Sequence, residues 1–283
     1  VHALVVAIRN ELKDMWDTAR SKYAKDHKRM KLLDATDRGE LWKALGAKFP
    51  PYQILPDTNY VSYVKNNILA SLYTVSKGAT IEPTDEEDNQ LVQDLNIALE
   101  HIWDITDIGY HQFRAGERAS LLNLGITQIG WDEGIVGGHN SYRFKGNITA
   151  KNIDPIKFMR DPYATSLETS EYCMTYDVYH KSILLQDKRY KEEMKKFIDR
   201  QAASALVDTP RNAIEHTPSE DKGYYTLIIF WVRHCDGEIY QIDTISAEHI
   251  LCWKKVKPSM FPFAELYCEE PAGALIGSSP CAK

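Results

Sequence analysis

The chain has 283 residues, 43% of them apolar, and a formal net charge of −6 from 34 Lys and Arg against 40 Asp and Glu. That length can bury one large core or two ordinary ones, and with only 15 Gly and 12 Pro the chain is neither collagenous nor of low complexity. The acidic balance excludes a protein whose main task is a nonspecific grip on nucleic acid, because such binding needs surplus cations against phosphate.

The opening run VHALVVAI is too short for a membrane span and lacks the basic start and cleavage site of a secretion signal, so the expectation is a soluble protein. Without an initiator Met, the chain is expected to be trimmed at its front, and the Asn147-Ile148-Thr149 sequon to be incidental. Residues 1–31 read as a solvated amphipathic helix, with eight Lys or Arg from Arg9 to Lys31 against four acids and Leu4, Ile8, Leu12, Met15 and Trp16 at helical spacing. Gly39 breaks it, a short helix runs to Gly46, and the three prolines of 49–60 make an extended connector.

A helix follows over 61–76, with Val61, Val64, Ile68, Leu69 and Leu72 on one side. From Gly78 to Phe113 there is no Lys or Arg, while nine acids fall between Glu82 and Asp107. Pro83-Thr84-Asp85-Glu86-Glu87 reads as a capped helix start, and Leu91, Leu95, Ala98, Leu99, Ile102 and Trp103 as a buried stripe opposite a solvated acidic face. TDEEDNQ lacks the alternating oxygens and central Gly of a calcium loop.

A second helix, about Tyr110 to Leu124, ends at Gly125, and the period then becomes alternating. ITQIGWDEG and SYRFKGNIT are predicted strands around the loop GIVGGHN, which is no phosphate cradle because it lacks the Gly-Lys-Ser/Thr ending. NIDPIKFMRDPYAT, with Asp-Pro twice, predicts turns and extended backbone, and EYCMTYDVYH another strand. A helix from Ser182 to Ala205 is expected to bury Tyr190, Met194, Phe197 and Ile198, and 207–223 to be a polar linker. YYTLIIFWVRH, an Asp236-Gly237 turn and EIYQIDTI then form a hairpin.

Residue types that carry chemistry are present but scattered. Five cysteines at 173, 235, 252, 268 and 281 form no Cys-x-x-Cys pair, which points to reduced thiols in a cytosolic setting. His234, Cys235, His249 and Cys252 are zinc-ligand types, but the first pair sits at the hairpin turn and the second about a dozen residues beyond it, which at about 3.3 Å per strand residue leaves them roughly 30 Å apart unless the chain doubles back. A metal-dependent nuclease would need clustered carboxylates. Its candidates are Asp132, Glu133, Asp154, Asp161 and Glu220-Asp221-Lys222, of which Asp154 and Asp161 are explained as turn starters before Pro155 and Pro162. Ser278 and Ser279 in GSSPC lack a nucleophile elbow and read as helix caps. Catalytic, cofactor-binding and metal residues are accordingly expected to be none.

The ordered set of segments resembles the portal, or head-tail connector, proteins of tailed bacteriophages over about residues 40–283. LPDTNYVSYVKNNILASLYTVSKGATIEP is similar to the family's early helix-then-strand segment, GITQIGWDEG to its Gly-strand-Trp-Asp element, and IDPIKFMRDPYAT to its paired Asp-Pro stretch. PFAELYCEEPAGALIGSSPCAK resembles the turn that leads into the portal's long stem helix. The resemblance implies an α+β wing region with a helical N-terminal half, then antiparallel β hairpins and a helix. Its segments are N-terminal helices and a Pro-rich connector over 1–60, a wing body over 61–206, the linker 207–223, a β-hairpin region over 224–275 and the start of an absent stem helix at 276–283.

The function so implied is structural rather than enzymatic: a subunit of a ring at a capsid vertex, in the virion, through which DNA is packaged and ejected. The implied partners are other copies in a closed ring of about twelve subunits, capsid protein, terminase and tail adaptor, with duplex DNA passing without tight binding; no cofactor and no membrane are implied. Two other readings stay open: a metal-dependent nuclease built on the carboxylates around Asp132 and Asp154, and a soluble adaptor whose acidic helix docks a basic partner in a salt-sensitive way.

Overall fold

The computed structural model describes residues 2–46, 59–72, 79–83, 85, 88–139, 143–187, 189–191, 195, 198, 223–270 and 275–282. The fold is α+β, with helices first and antiparallel sheets after them. Contacts group the chain into two interleaved units, one of residues 1–58, 155–261 and 272–276, the other of 59–154, 262–271 and 277–283.

The first unit is built on a five-stranded antiparallel sheet in the order β3-β4-β5-β6-β7. Its strands are β3 (Phe158–Arg160), β4 (Tyr172–His180), β5 (Tyr224–Arg233), β6 (Ile239–Ile245) and β7 (His249–Lys255). Tyr176 pairs with Ile228 and Met174 with Phe230, so these four share a face. Helix α1 (His2–Asp37) lies there: the ring of Trp16 meets that of Tyr176 edge-on at 5.3 Å, and the Arg160 amide donates to the Tyr23 hydroxyl at 3.5 Å. The opposite face carries Tyr225 and Leu227, packed with Leu184 of α6 (Lys181–Gln186), Tyr190 and Ile198. β5 is therefore apolar on both faces, which is why its sequence reads as a continuous run.

Two expectations for this unit are corrected. α1 is the expected amphipathic helix, with Leu12, Trp16, Ala19, Tyr23, Met30 and Ala35 buried along one stripe, but it runs past residue 31. It stops at Asp37 through a Schellman motif, in which Glu40 N–H donates to Ala35 C=O at 2.8 Å and Gly39, at φ 74, donates to Thr36 C=O at 3.0 Å. The short helix expected next is α2 (Leu41–Ala44).

The helix expected from Ser182 to Ala205 is interrupted after Gln186, because Asp187 is extended and its carboxylate accepts from Arg189 N–H at 2.9 Å, offering the backbone a turn in place of another helical bond, and Lys195 and Ile198 are again helical. Tyr190 and Ile198 are buried as expected, whereas Met194, Phe197, the linker 207–222 and most of the connector 49–60 lie outside the described residues.

The second unit holds α3 (Tyr60–Leu72), α4 (Asn89–Thr106), α5 (Ile108–Leu122) and a three-stranded sheet in the order β2-β1-β8. Its strands are β1 (Gly125–Gly137), β2 (Phe144–Ile153) and β8 (Phe263–Leu266). Asn59 caps α3, accepting from Ser62 N–H at 3.0 Å. Asp107 and Asn123, both left-handed, close α4 and α5. The Asn123 side chain then bonds both the N–H and the C=O of Glu269, at 2.8 and 2.9 Å, which ties the end of α5 to the segment after β8. At Gly125 a β-carbon would lie 2.0 Å from the Ala115 carbonyl oxygen, so the strand starts against the helix only because the residue is Gly.

The β1–β2 hairpin forms as predicted, but β1 runs on to Gly137 through what read as loop. The register shifts between Asp132 and Val136, where the Asp132 carboxylate accepts from Gly134 N–H at 2.8 Å and turns the strand through a bulge.

α4 corrects two further expectations. It begins at Asn89 rather than near Thr84, and Asp88 makes no side-chain cap bond. Half of the stripe expected to be buried is open, with Leu91 57% and Leu95 42% exposed and Ala98 exposed as well, while Leu99, Ile102 and Trp103 are half-buried. Within the unit the helix turns Val92, Asn96, Leu99, Trp103 and Thr106 inward as half-buried or buried residues. Asn96 pins the segment before the helix, with its amide exchanging two bonds with Ile81 backbone at 2.9 and 3.0 Å.

Candidate functional site

The zinc reading depends on whether the chain returns His249 to His234. β7 does double back along β6, yet His249 pairs with Ile245 while His234 sits beyond Ile239, at the other end. Six strand residues separate the two ends, or about 20 Å, less than the sequence distance suggested but far outside a coordination sphere. Cys252 lies opposite Asp243, and burial followed by the Asp243 charge raises its thiol pKa, which keeps it protonated. None of the five cysteines forms a disulfide.

The nuclease carboxylates are also dispersed. Asp132 pairs with Asn147 and Ile126 with Ile153, so Asp154 follows the strand end about 20 Å from Asp132 along β1. Asp161, in the other unit, accepts from Tyr163 N–H at 3.0 Å as a turn starter should. Glu220, Asp221 and Lys222 lie outside the described residues. Among the described residues no group of three His, Cys, Asp or Glu could hold a metal ion.

Ser279 is a cap. Its hydroxyl accepts from Cys281 N–H at 3.0 Å and donates to the Ser120 carbonyl at 3.1 Å, with Pro280 opening a single turn of 3-10 helix over Pro280–Ala282. The hydroxyl is fully buried and engaged, which leaves it no role as a nucleophile.

One cluster of polar residues escaped the sequence reading. Asp243, 2% exposed, accepts from the Tyr190 hydroxyl at 3.1 Å and the Gln241 amide at 2.7 Å, with the Arg189 guanidinium 3.9 Å away. Burial and then the Asp243 charge drive the Tyr190 phenol far above its ordinary pKa, so it stays a donor. The only signal was an acid in the otherwise apolar and neutral run IYQIDTI. The carboxylate's acceptor sites are matched by donors, which suits a clamp holding Arg189 and Tyr190 to the sheet rather than a reactive group.

What remains is surface. A groove of about 300 Å³ in the second unit lies between α5 and the sheet, lined by Ile108, His111, Ile129 and Leu266 among others. His111 is fixed there by reciprocal bonds, its Nδ1 at 2.6 Å from the Asn152 side-chain oxygen and its carbonyl accepting from the Asn152 amide at 2.9 Å. The oxygen can only accept, so Nδ1 carries the proton.

The same unit exposes Tyr60 and Tyr63 on α3, Leu91, Leu95 and Ile105 on α4, Tyr110 on α5, and Trp131 and Val136 on β1, each more than 40% accessible. Among the described residues no helix is long and apolar enough to cross a membrane. No family model and no curated protein matches the chain's sequence.

Proposed function

We propose that this chain is the wing region of a bacteriophage portal subunit, a non-enzymatic part of the ring at a capsid vertex of the virion through which DNA passes. The observation that carries the reading is the order of segments: a capped helix from Asn59, a Gly-started strand with Trp131-Asp132, the paired Asp154-Pro155 and Asp161-Pro162, and the Gly277-Ser278-Ser279-Pro280 turn. Local structure supports it in detail. The paired Asp-Pro motifs bracket the short strand β3, and Ser279 with Pro280 starts a helical turn.

Exposed aromatic and aliphatic side chains on several elements of one unit fit a subunit that repeats one heterologous contact around an axis. A net charge of −6 suits a conduit, since every phosphate neutralised by a basic lining would add affinity and hence drag. Terminase, capsid protein and tail adaptor are the partners the reading implies. Particle imaging of the complete gene product that carries this sequence tests it. The expected result is a ring with a central channel, and a strict monomer would refute it.

The open face of α4 favours a second reading, an adaptor domain with an acidic docking surface. Asp94, Glu100 and Asp104 make no ion pair among the described residues, and the run from Gly78 to Phe113 contains no Lys or Arg to supply one nearby.

A further inference from the structure

The net charge of −6 conceals a local excess of the opposite sign on α1. From Thr18 to Leu33 the helix carries six Lys or Arg and one acid, Asp26, whose carboxylate is taken by Arg29 at 3.6 Å. Lys22, Lys25, Lys28 and Lys31 recur there at every third residue. At 100° per residue, Lys25 and Lys28 stand within about 35° of the line opposite the buried stripe of Leu12, Trp16, Ala19, Tyr23 and Met30. Lys22 and Lys31 lie about 90° to either side of that line, so the row crosses the outward face obliquely over about 14 Å. Lys22, Lys25 and Lys28 are exposed and Lys31 is half-buried.

Helix stability does not account for this row. Neighbours of like sign on a helix surface repel, which weakens the helix. Cations offset the helix dipole in the last turn, and the last turn of α1 has none, carrying Asp34 and Asp37 instead.

The chemistry of the face selects its partner. Ser21 and Ala24 lie between the lysines, and the large apolar side chain beside them is Leu32, only 36% accessible. A lipid surface holds a helix by apolar anchors set beside the charges, and a stable protein interface has an apolar core. This face of the helix is built for neither. A phosphate backbone asks only for cations, because release of its counterions supplies nearly all of the nonspecific affinity. Tyr163, 77% exposed, has its ring 5.9 Å from the Lys22 ammonium, and its hydroxyl is a group that donates to phosphate oxygens.

We infer that the outward face of α1, from Lys22 to Lys31, is a contact surface for the phosphate backbone of a double-stranded nucleic acid. The inference goes beyond the ring reading and stands without it. Affinity that comes from charge is independent of base sequence and steep in salt. Three or four neutralised phosphates make the contact weak and give log affinity a slope of about −3 against log salt.

Fluorescence anisotropy of the whole chain with labelled DNA duplexes of about 30 base pairs, across salt from about 25 to 200 mM, tests it. The expected result is equal binding of two duplexes of unrelated sequence, with that salt slope. K25E/K28E should weaken binding at least about tenfold and flatten the slope, while K145E on β2 leaves both unchanged. K25Q/K28Q, which removes repulsion within the helix, should weaken binding without lowering the melting temperature. No binding at the lowest salt, or binding undiminished in K25E/K28E, would overturn the inference. So would tighter binding to phosphatidylserine vesicles than to the duplex, which would assign the face to a lipid surface. Self-association of the chain that K25E/K28E abolishes would assign it to the acidic run of a second copy and overturn the inference as well.

Discussion

His27 shows how α1 is held at the level of single side chains. It sits beside the Tyr23 ring at 5.6 Å, its Nε2 is buried without a hydrogen-bond partner among the described residues, and burial followed by the nearby Lys31 charge lowers its pKa from 6.5 to about 4. The folded state therefore refuses a proton that the unfolded chain accepts. Stability should fall as pH drops from about 6.5 towards 4 and level off below that, by an amount on the order of 3 kcal/mol relative to a His27→Gln variant. Parallel urea titrations of the two proteins across that window check it, and matching pH profiles would remove His27 as the cause. Gly125→Ala should cost about 3 kcal/mol, because the added methyl meets the Ala115 carbonyl, which cannot move without unwinding α5. Ser279→Ala should cost about 1–2 kcal/mol by deleting one cap bond and one buried bond to Ser120. Denaturant midpoints measure both.

At the scale of elements, exposure decides what substitution does. Leu95→Ser and Ile105→Ser remove apolar groups that already meet solvent, so each should shift stability by less than about 0.5 kcal/mol, whereas Trp16→Ala on the buried stripe of α1 should cost about 3–5 kcal/mol. Thermal melts of the three variants separate these outcomes, and a large loss at Leu95 would mean that α4 is covered. The contrast also explains what could be read in advance. The continuous apolar run of β5 and the Asp236-Gly237 turn specify the β5–β6 hairpin locally, and the Ser279-Pro280 cap is a matter of neighbouring residues. β7 was not foreseen because its turn places Ser246 and Ala247 at φ 53 and 57, left-handed positions where Asn or Gly would have announced a hairpin. Periodicity identified the apolar face of α4 but carries no information on whether anything lies against it. The Asp243 clamp was invisible for a similar reason: Tyr190 and Asp243 meet only through the tertiary fold, 53 residues apart.

At the scale of the whole molecule, two interleaved units form from a chain whose segments look sequential, since β8 pairs with β1 across more than a hundred residues and Ser279 returns to Ser120. Among the described residues the candidate chemistry does not converge: His234 and His249 lie at opposite ends of β6, and Asp132 and Asp161 occupy a bulge and a turn. Exposed apolar side chains, by contrast, spread over α3, α4, α5 and β1 of the second unit. The most direct measurement is single-particle imaging, with light scattering, of the complete gene product that contains this chain. A closed ring with cyclic symmetry and an open channel is the predicted result; a monodisperse monomer at every concentration would contradict the account.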